Sequence, residues 1–437
     1  MKLSRYNIHI DHEDGGQLLF NGKSGAFVKL TKEEASLLGD IQKMFSVEDN
    51  EYLQNLKRGG FIIPDELNEI DIIKVRFESM RWRSDSLGLT IVPTLKCNLR
   101  CPYCYEPRDK FENNLPSTMN EKIQKSLVAF TKDQIEKHEK IKVVGVTWYG
   151  GEPLLAFDVI SSLSEKLIDL AHEYEIKYIA SIITNGTLLN SDMIEKLISQ
   201  FNVSQFQLTF DGDKPFHDKT RIYPNGKGTF ERVFQSLRLL LDYDAKISLR
   251  INVSSKNYES IPGLLDKLKS IGAHEKNVSI YFAKLTKYAN SCPNLGYLNS
   301  ITFANIEPNL YQELIETGFK YSIFPSPKFL PCGALSSTSF SVDLEGYLYK
   351  CWHDIGLKER SIGHVETGLN HKVYKWLAYT PFEYKKCKDC TLMPVCLGNC
   401  PMIAMENNNP ECPPMKHNIK ELLALYYQYK KRMEDTR

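Results

Sequence analysis

The 437-residue sequence contains no apolar run that approaches the ~18–20 residues needed to span a bilayer. Its first ten residues are polar and of mixed charge, without the apolar segment of a secretory signal peptide. The 55 basic residues nearly balance the 54 acidic ones, so the basic excess typical of polyanion-binding proteins is missing. These absences predict a cytoplasmic protein that binds neither nucleic acid nor membrane.

Cysteine is abundant for a protein of that compartment. Ten of the eleven cysteines fall into two groups, at positions 97–104 and 332–412, and Cys292 stands alone. Because the cytoplasm is reducing, clustered cysteines there indicate metal or redox chemistry rather than structural disulfides. Cys292 is expected to be a buried apolar residue.

The first 82 residues lack cysteine and predict a small domain of strands and helices. A helix start is predicted at Thr31, and a second short helix is predicted to end near Arg58. We interpret this region as a winged-helix-like domain. Its charge, 10 basic minus 14 acidic over residues 1–80, or −4, favours peptide recognition over DNA binding. Strand-like segments separated by turn signals lie at 6–10, 17–20, 26–30 and 61–63.

The middle of the chain alternates strand-like and helical segments. Repeated βα units predict an α/β domain with a parallel sheet covered by helices. In such folds the site lies beyond the carboxyl ends of the strands, and the first cysteine group follows the first of them. The predicted strands are 88–92, 143–148, 178–183, 205–210, 247–253 and 278–282.

The first cysteine group places three thiols, those of Cys97, Cys101 and Cys104, on one short loop. Three thiolates suit a four-iron cluster with one open iron, although a catalytic zinc site completed from elsewhere is the alternative. Lys96 and Arg100 are expected to favour the thiolate forms. The spacing Cys-x3-Cys-x2-Cys, with Tyr103 before the last cysteine, resembles the signature of the radical S-adenosylmethionine (radical SAM) enzymes.

Further segments of the middle region resemble this family in order. Residues 149–153, Tyr-Gly-Gly-Glu-Pro, resemble its GGEP motif, 184–186 resemble its TNG segment, and Arg221 ends a stretch resembling its DG…HD…R pattern. The resemblance implies that the glycines and Glu152 hold the methionine amino group and that Arg221 holds the carboxylate. The residues that the resemblance assigns to cofactor binding are Tyr103, Gly150, Gly151, Glu152, Thr184, Asn185 and Arg221.

The same resemblance implies a fold and a reaction. The fold is a partial (β/α)6 TIM-like barrel over residues 83–310. A [4Fe-4S] cluster binds S-adenosylmethionine, and one-electron cleavage of the sulfonium yields a radical that removes a hydrogen atom from an unactivated carbon.

The second cysteine group lies in a loop-rich region, 311–415, followed by a C-terminal helix over 416–437. A zinc ribbon is the simplest alternative, but seven cysteines do not divide into sets of four. The spacing resembles the SPASM extension of radical SAM enzymes, which carries two auxiliary [4Fe-4S] clusters. The resemblance assigns one cluster to Cys387, Cys390, Cys396 and Cys412, and the other to Cys332, Cys351 and Cys400.

Where some members of the family have an eighth cysteine, this chain has Ser326. The second of those clusters is therefore expected to have an open iron, which suits a thioether between a peptide cysteine and a carbon. Sulfatase-maturing relatives carry aspartate after the second SPASM cysteine, where this chain has Trp352. His353 and Asp354 are candidate acid–base residues from their position beside Cys351, although a structural role is expected for them.

The expected function is that of a radical SAM peptide maturase that installs an intrapeptide cross-link, with a thioether favoured. Its partners are a ribosomal precursor peptide with a leader, which could add a strand to the N-terminal sheet, and a flavodoxin- or ferredoxin-like electron donor. The alternatives are a carbon–carbon cross-linking maturase, an anaerobic sulfatase-maturing enzyme, and a non-enzyme. The last would be an iron–sulfur electron carrier or a zinc-stabilised peptide-binding scaffold.

Overall fold

The computed structural model describes residues 1–39, 51–106, 117–287 and 292–435, with side chains up to Lys431. No helix among these residues is long and apolar enough to cross a membrane. The chain forms two compact units. Unit 1 contains Met1–Trp82, Ile323–Ser336 and Tyr379–Arg437, and unit 2 contains Arg83–Ser322 and Ser337–Ala378.

The described strands are numbered in chain order. They are β1 (Lys2–Leu3), β2 (Asn7–Asp11), β3 (Gln17–Asn21), β4 (Phe27–Leu30), β5 (Ile62–Ile63), β6 (Ser86–Ile91), β7 (Val143–Trp148), β8 (Lys177–Ile183), β9 (Val203–Phe210), β10 (Lys246–Val253), β11 (Val278–Lys284), β12 (Ser339–Val342), β13 (Tyr347–Tyr349), β14 (Gly363–His364) and β15 (Gly368–Leu369).

The described α-helices are numbered in the same way. They are α1 (Lys32–Gly39), α2 (Glu51–Arg58), α3 (Glu69–Arg81), α4 (Glu121–Lys137), α5 (Phe157–Glu173), α6 (Ser191–Ser199), α7 (Lys214–Thr220), α8 (Phe230–Leu240), α9 (Ile261–Ser270), α10 (Ser300–Glu316), α11 (Val373–Leu377), α12 (Lys385–Lys388), α13 (Met393–Cys396), α14 (Pro401–Asn407) and α15 (Met415–Asp435).

Unit 1 contains an antiparallel sheet of order β2-β3-β4, and β1 pairs with β5. Strand β3 is buried on both faces. Leu18 and Phe20 pack with Leu423 of α15 in one apolar cluster, whereas Leu19 packs with Leu38 of α1 in a second cluster. A strand with both faces covered reads as a continuous apolar run rather than an alternating one. The strands and helices expected in this region are present.

Unit 2 is built on a sheet of order β11-β10-β9-β8-β7-β6-β12-β13-β14-β15. Strands β6 to β11 are parallel to their neighbours, and helices connect each to the next, which confirms the predicted α/β architecture. Apolar side chains alternate with smaller or polar ones. Phe206, Leu208 and Phe210 on β9 are fully buried, whereas Gln207 and Thr209 are partly exposed.

Strand β12 extends this sheet beyond the six predicted strands, because it pairs in parallel with β6 and begins a meander through β13 and β14. The sequence pattern predicted loops there. Strands this short gain their stability from pairing with an existing sheet edge, which a local pattern does not reveal. Residues 337–378 therefore belong to unit 2, although the sequence placed them with the second cysteine group.

Candidate functional site

The first cysteine group forms a loop after β6 in unit 2, where Cys97, Cys101 and Cys104 line a cavity of about 320 Å³. The backbone N–H of Arg100 donates to the carbonyl of Ile222 at 2.7 Å and anchors the loop. Three thiols on the wall of one cavity fit a cluster held by three protein ligands.

Burial opposes the thiolate form of Cys97, whereas the neighbouring cations were expected to favour it. Burial raises the pKa of Cys97 to about 12. Arg100 directs its Nη1 group to the carbonyl oxygens of Cys97 and Leu99, at 2.8 and 2.9 Å. Positive charge from bound iron would be needed to ionise Cys97, because coordination requires its deprotonated form.

Gly150 and Gly151 hold their segment against the chain that leads into the cysteine loop. A Cβ atom on Gly151 would lie 2.3 Å from the carbonyl oxygen of Leu95 and 2.4 Å from that of Lys96. A Cβ on Gly150, whose φ is +124°, would lie 2.4 Å from the carbonyl oxygen of Thr94. Both positions require glycine because two backbone segments meet there.

Glu152 connects the ends of two strands. Its carboxylate is fully buried and accepts hydrogen bonds from Thr184 Oγ1 at 2.7 Å and from the backbone N–H of Asn185 at 2.7 Å. The N–H of Leu154 donates a third bond at 3.1 Å. Burial raises the pKa of Glu152, although these donors favour its charged form. The contacts show that Glu152 ties the segment after β7 to the segment after β8.

Asn185 connects this segment to the cysteine loop. Its Nδ2 donates to Asn98 Oδ1 at 2.8 Å and lies 3.8 Å from the sulfur of Cys97. Asn98 in turn donates to the hydroxyl of Thr187 at 2.8 Å, and Asn185 Oδ1 accepts from the N–H of Thr187 at 2.9 Å. The sequence motifs did not indicate Asn98 or Thr187, because neither belongs to a recognisable pattern.

Arg221 lies at the same edge of the sheet and is buried. Its Nη1 donates to the phenol oxygen of Tyr103 at 3.0 Å, and Asn252 donates to the same oxygen at 3.3 Å. The buried Nε of Arg221 has no acceptor among the described residues. A buried guanidinium with an unused donor fits an anionic ligand, since leaving such a group unpaired is costly.

A second cavity of about 250 Å³ adjoins the cysteine loop inside unit 2. Cys104, Tyr105 and Tyr149 line both cavities. The ring of Tyr105 stacks on His353 with centroids 4.4 Å apart, and Tyr149 packs on Trp352 at 5.2 Å. The two tyrosine hydroxyls are hydrogen-bonded to each other. Aromatic side chains therefore form the wall shared by the two cavities.

The two acid–base candidates have different surroundings. His353 lines the second cavity, where its ring faces Tyr105. Asp354 is buried and forms an ion pair with Arg360 at 2.9 Å. His353 thus lies where a substrate could reach it, and Asp354 holds its own loop together.

Four thiols of the second cysteine group line a cavity of about 250 Å³ in unit 1. They belong to Cys387, Cys390, Cys396 and Cys412, the four residues assigned to one auxiliary cluster. Lys416 Nζ donates to the sulfur of Cys390 at 3.3 Å. A cationic donor at a ligand sulfur is a common outer contact of an iron–sulfur site.

The remaining cysteines are distributed over both units. Cys332 and Cys400 belong to unit 1, and burial, together with the neighbouring Cys400, raises the pKa of Cys332. Cys351 belongs to unit 2 and is buried. The expectation that Cys292 is buried is wrong, because it is exposed and its N–H donates to the carbonyl of Pro102 at 3.0 Å.

Within the described ranges, no three Cys, His, Asp or Glu side chains converge closely enough to hold a single metal ion. The assignments at the cysteine loop and at Cys387, Cys390, Cys396 and Cys412 therefore depend on thiols spaced around a cavity. A cubane places its ligand sulfurs on separate iron atoms, so such spacing is compatible with it.

Comparison with known proteins relates the chain to one superfamily. Residues 91–268 match the family model "Radical SAM superfamily". The chain is similar to the cysteine-type anaerobic sulfatase-maturating enzyme of Clostridium perfringens, with 24% identity over 349 residues that cover 72% of this chain and 88% of the relative.

Two solved structures have a similar fold. One is described as native anSMEcpe with bound AdoMet and Cp18Cys peptide, with a TM-score of 0.60, 19% identity, and coverage of 80% of this chain and 100% of that one. The other is Streptococcus suis SuiB bound to precursor peptide SuiA, with a TM-score of 0.54, 15% identity, and coverage of 94% and 98%.

Proposed function

Since residues 91–268 carry a radical SAM domain, we propose that this radical SAM enzyme is a peptide maturase that joins a cysteine sulfur to a carbon within a ribosomal precursor peptide. When bound, S-adenosylmethionine and the four-iron cluster supply the radical that removes a hydrogen atom. Cys97, Cys101 and Cys104 would hold the cluster. Arg221 would bind the carboxylate of the methionine moiety through its guanidinium fork.

The observation that carries this proposal is the wall shared by the two cavities of unit 2. Cys104, Tyr105 and Tyr149 line both the cavity of the cysteine loop and the second cavity. A cofactor at the cysteine loop would extend along this wall to Arg221, and a peptide segment in the rest of the second cavity would lie beside it. The aromatic wall would exclude water from that boundary, which protects a reactive carbon radical from side reactions.

The thiols of unit 1 support a second part of the proposal. Cys387, Cys390, Cys396 and Cys412 line one cavity and would hold an auxiliary [4Fe-4S] cluster. Forming a thioether removes two hydrogen atoms from the peptide. One leaves as the abstracted hydrogen atom. The other leaves as a proton and an electron, and an auxiliary cluster would accept the electron. A flavodoxin- or ferredoxin-like protein would reduce the first cluster.

Unit 1 also offers a place for a leader peptide. Among the described strands, β4 pairs only with β3, so its other edge is open. A cavity of about 370 Å³ lies beside it, lined by Val28 of β4, Tyr52 and Asn55 of α2, and Phe61. An extended peptide could add a strand to this edge and place side chains in the groove. Such an edge supports the peptide-recognition role proposed for residues 1–82.

The relatives support a peptide substrate and leave two reaction types. The SuiB structure contains a precursor peptide, and the anSMEcpe structure contains a peptide with AdoMet. Similarity to a sulfatase-maturating enzyme favours that activity as the second candidate. The residue after Cys351 is Trp352, which packs on Tyr149. The resemblance implies an aspartate at this position in sulfatase maturases. This chain has an aromatic side chain there instead.

Mass spectrometry of matched peptides tests the proposal. The anaerobically reconstituted chain would be incubated with S-adenosylmethionine, a reductant and short peptides encoded beside its gene, each made with cysteine or with serine at that position. We expect the cysteine peptide alone to lose two hydrogen atoms. The same loss from the serine peptide would contradict a thioether and support a carbon–carbon bond. Modification of a sulfatase-derived peptide alone would support the second candidate.

A further inference from the structure

The second cavity of unit 2 contains positive charge that the proposed cofactor site does not use. Its described wall includes three cationic side chains, Arg221, Arg250 and Lys284, and no aspartate or glutamate. Arg221 is the proposed partner of the methionine carboxylate. Lys284 of β11 donates to the hydroxyl of Ser300 at 3.2 Å. Arg250, on the neighbouring parallel strand β10, remains.

The side chain of Arg250 lies on the face of β10 that lines the cavity. Leu249 and Ile251, on either side, are fully buried on the opposite face. The Nε of Arg250 donates to Asn252 Oδ1 at 2.8 Å, and its guanidinium lies 5.9 Å from the ring centre of Tyr281. Among the described residues it has no anionic partner, and its two Nη groups have no acceptor. A strand-borne guanidinium that faces a cavity without a carboxylate is suited to an anion that enters from outside.

The surroundings of Arg250 fix its position. Asn252 accepts from Arg250 and donates to Asp211 at 3.0 Å. It also donates to the phenol oxygen of Tyr103, which accepts from Arg221. The nearby carboxylate of Asp211 is thus engaged by Asn252, and it accepts a further bond from Thr220 at 2.6 Å. Arg250 therefore extends a fixed network from the proposed cofactor site into the cavity.

We propose that Arg250 binds a carboxylate of the substrate peptide and thereby places the carbon to be attacked beside the cysteine loop. The carboxylate belongs to an aspartate or glutamate side chain close to the modified residue, or to the C-terminus of the peptide. Neutral side chains of the wall, such as Gln207 and Thr209, would contact the peptide backbone. This inference rests on the proposed function, because it names the chemistry of the same substrate.

Binding of a random ten-residue peptide library tests whether the protein selects a carboxylate. The library is prepared in amidated and free-acid forms and is bound to the immobilised holoenzyme with S-adenosylmethionine. Enrichment of Asp or Glu over Asn and Gln in both forms would identify a side-chain carboxylate. Enrichment of free acids regardless of sequence would identify the C-terminus. We expect Arg250→Gln to lower the affinity of an enriched peptide roughly 10- to 100-fold, since hydrogen bonds to charged groups contribute that much. Lys246→Gln, at an exposed lysine on the same strand, is the matched control.

Two results would overturn the inference. One is a library without preference for carboxylates, or a preference that persists in Arg250→Gln. The other is a fall in the affinity for S-adenosylmethionine in Arg250→Gln, which would assign this residue to the cofactor. Formation of 5′-deoxyadenosine by the wild-type holoenzyme is measured separately. If no 5′-deoxyadenosine is formed, the proposed function is contradicted. The preference in the peptide library tests only whether the protein binds a carboxylate of the peptide.

Discussion

The carboxylate of Glu152 and the backbone N–H of Asn185 are joined by a hydrogen bond of 2.7 Å. This bond connects the segment after β7 to the segment after β8, and Asn185 continues the connection to Asn98 in the cysteine loop. Three segments that are distant in the sequence are thus held in one arrangement. The arrangement depends on a buried charge, so replacing Glu152 should disturb all three segments.

We expect Glu152→Gln to raise the dissociation constant of S-adenosylmethionine roughly 10- to 100-fold, because a buried hydrogen bond to a charged group contributes about 1.5–3 kcal/mol. The amide cannot accept the bonds from Thr184, Leu154 and Asn185 without turning its NH2 group toward a donor. Equilibrium binding to the reconstituted protein measures the effect. An unchanged affinity would show that the segments keep their positions without the carboxylate.

Gly151→Ala should reduce the iron bound at the cysteine loop, because the added methyl group would meet the carbonyl oxygens of Leu95 and Lys96. A clash between two backbone segments can be relieved only by separating them. Gly145→Ala is the matched control on the preceding strand, where the nearest atom would lie at 3.8 Å, an ordinary contact. Iron and sulfide analysis after reconstitution should show a loss in the first variant and none in the second. Equal iron in both would contradict the role assigned to Gly151.

Arg221→Lys should weaken the binding of S-adenosylmethionine roughly tenfold or more while keeping the positive charge. Lysine has neither the fork nor the unused Nε donor of arginine, so it loses the geometry that suits a carboxylate. Arg238→Lys, at an exposed site on α8, should leave the affinity unchanged. If both variants bind the cofactor as the wild type does, Arg221 has a structural role only.

The predicted parts of the fold are those with long local patterns. Six alternating βα segments predicted β6 to β11, because each strand is at least six residues long and each faces an apolar helix layer. Strand β12 has four residues and was missed, since it is stabilised by β6. A local pattern contains no information about such a partner.

The predicted parts of the site are those carried by motifs. Glycine and cysteine motifs indicated the cysteine loop and the segment of Glu152. The contact between His353 and Tyr105 was not predicted, because the two rings meet only after the chain returns to the sheet. Arg250 was also missed, since a single arginine within a strand has no distinguishing spacing. Its significance comes from the cavity that its strand lines.

Replacement of one thiol of the second cysteine group tests the auxiliary cluster. A chain with three cubanes should bind roughly twelve irons. We expect Cys396→Ser to bind about four fewer, because one cubane loses a ligand. Cys292→Ser, at an exposed thiol outside the proposed ligand set, should bind as much iron as the wild type. About four irons together with zinc in the wild type would instead assign the second group a structural role.

Asp343, in the turn between β12 and β13, should make the stability of the protein depend on pH. Its buried carboxylate accepts from the N–H groups of Glu345 and Tyr347 and from the hydroxyl of Tyr349. Burial raises the pKa of Asp343 from 3.8 to about 6. The folded state therefore binds its proton more tightly than the unfolded state does.

Its contribution to stability is therefore greatest below pH 4 and is lost as the pH rises to about 6. Asp343→Asn does not titrate, and its amide oxygen can still accept from both N–H groups while its NH2 donates to Tyr349. Relative to this variant, the wild type should lose roughly 2–3 kcal/mol of unfolding free energy across that interval. Denaturant unfolding of both proteins from pH 4 to 8 measures the difference. A constant difference would contradict the raised pKa.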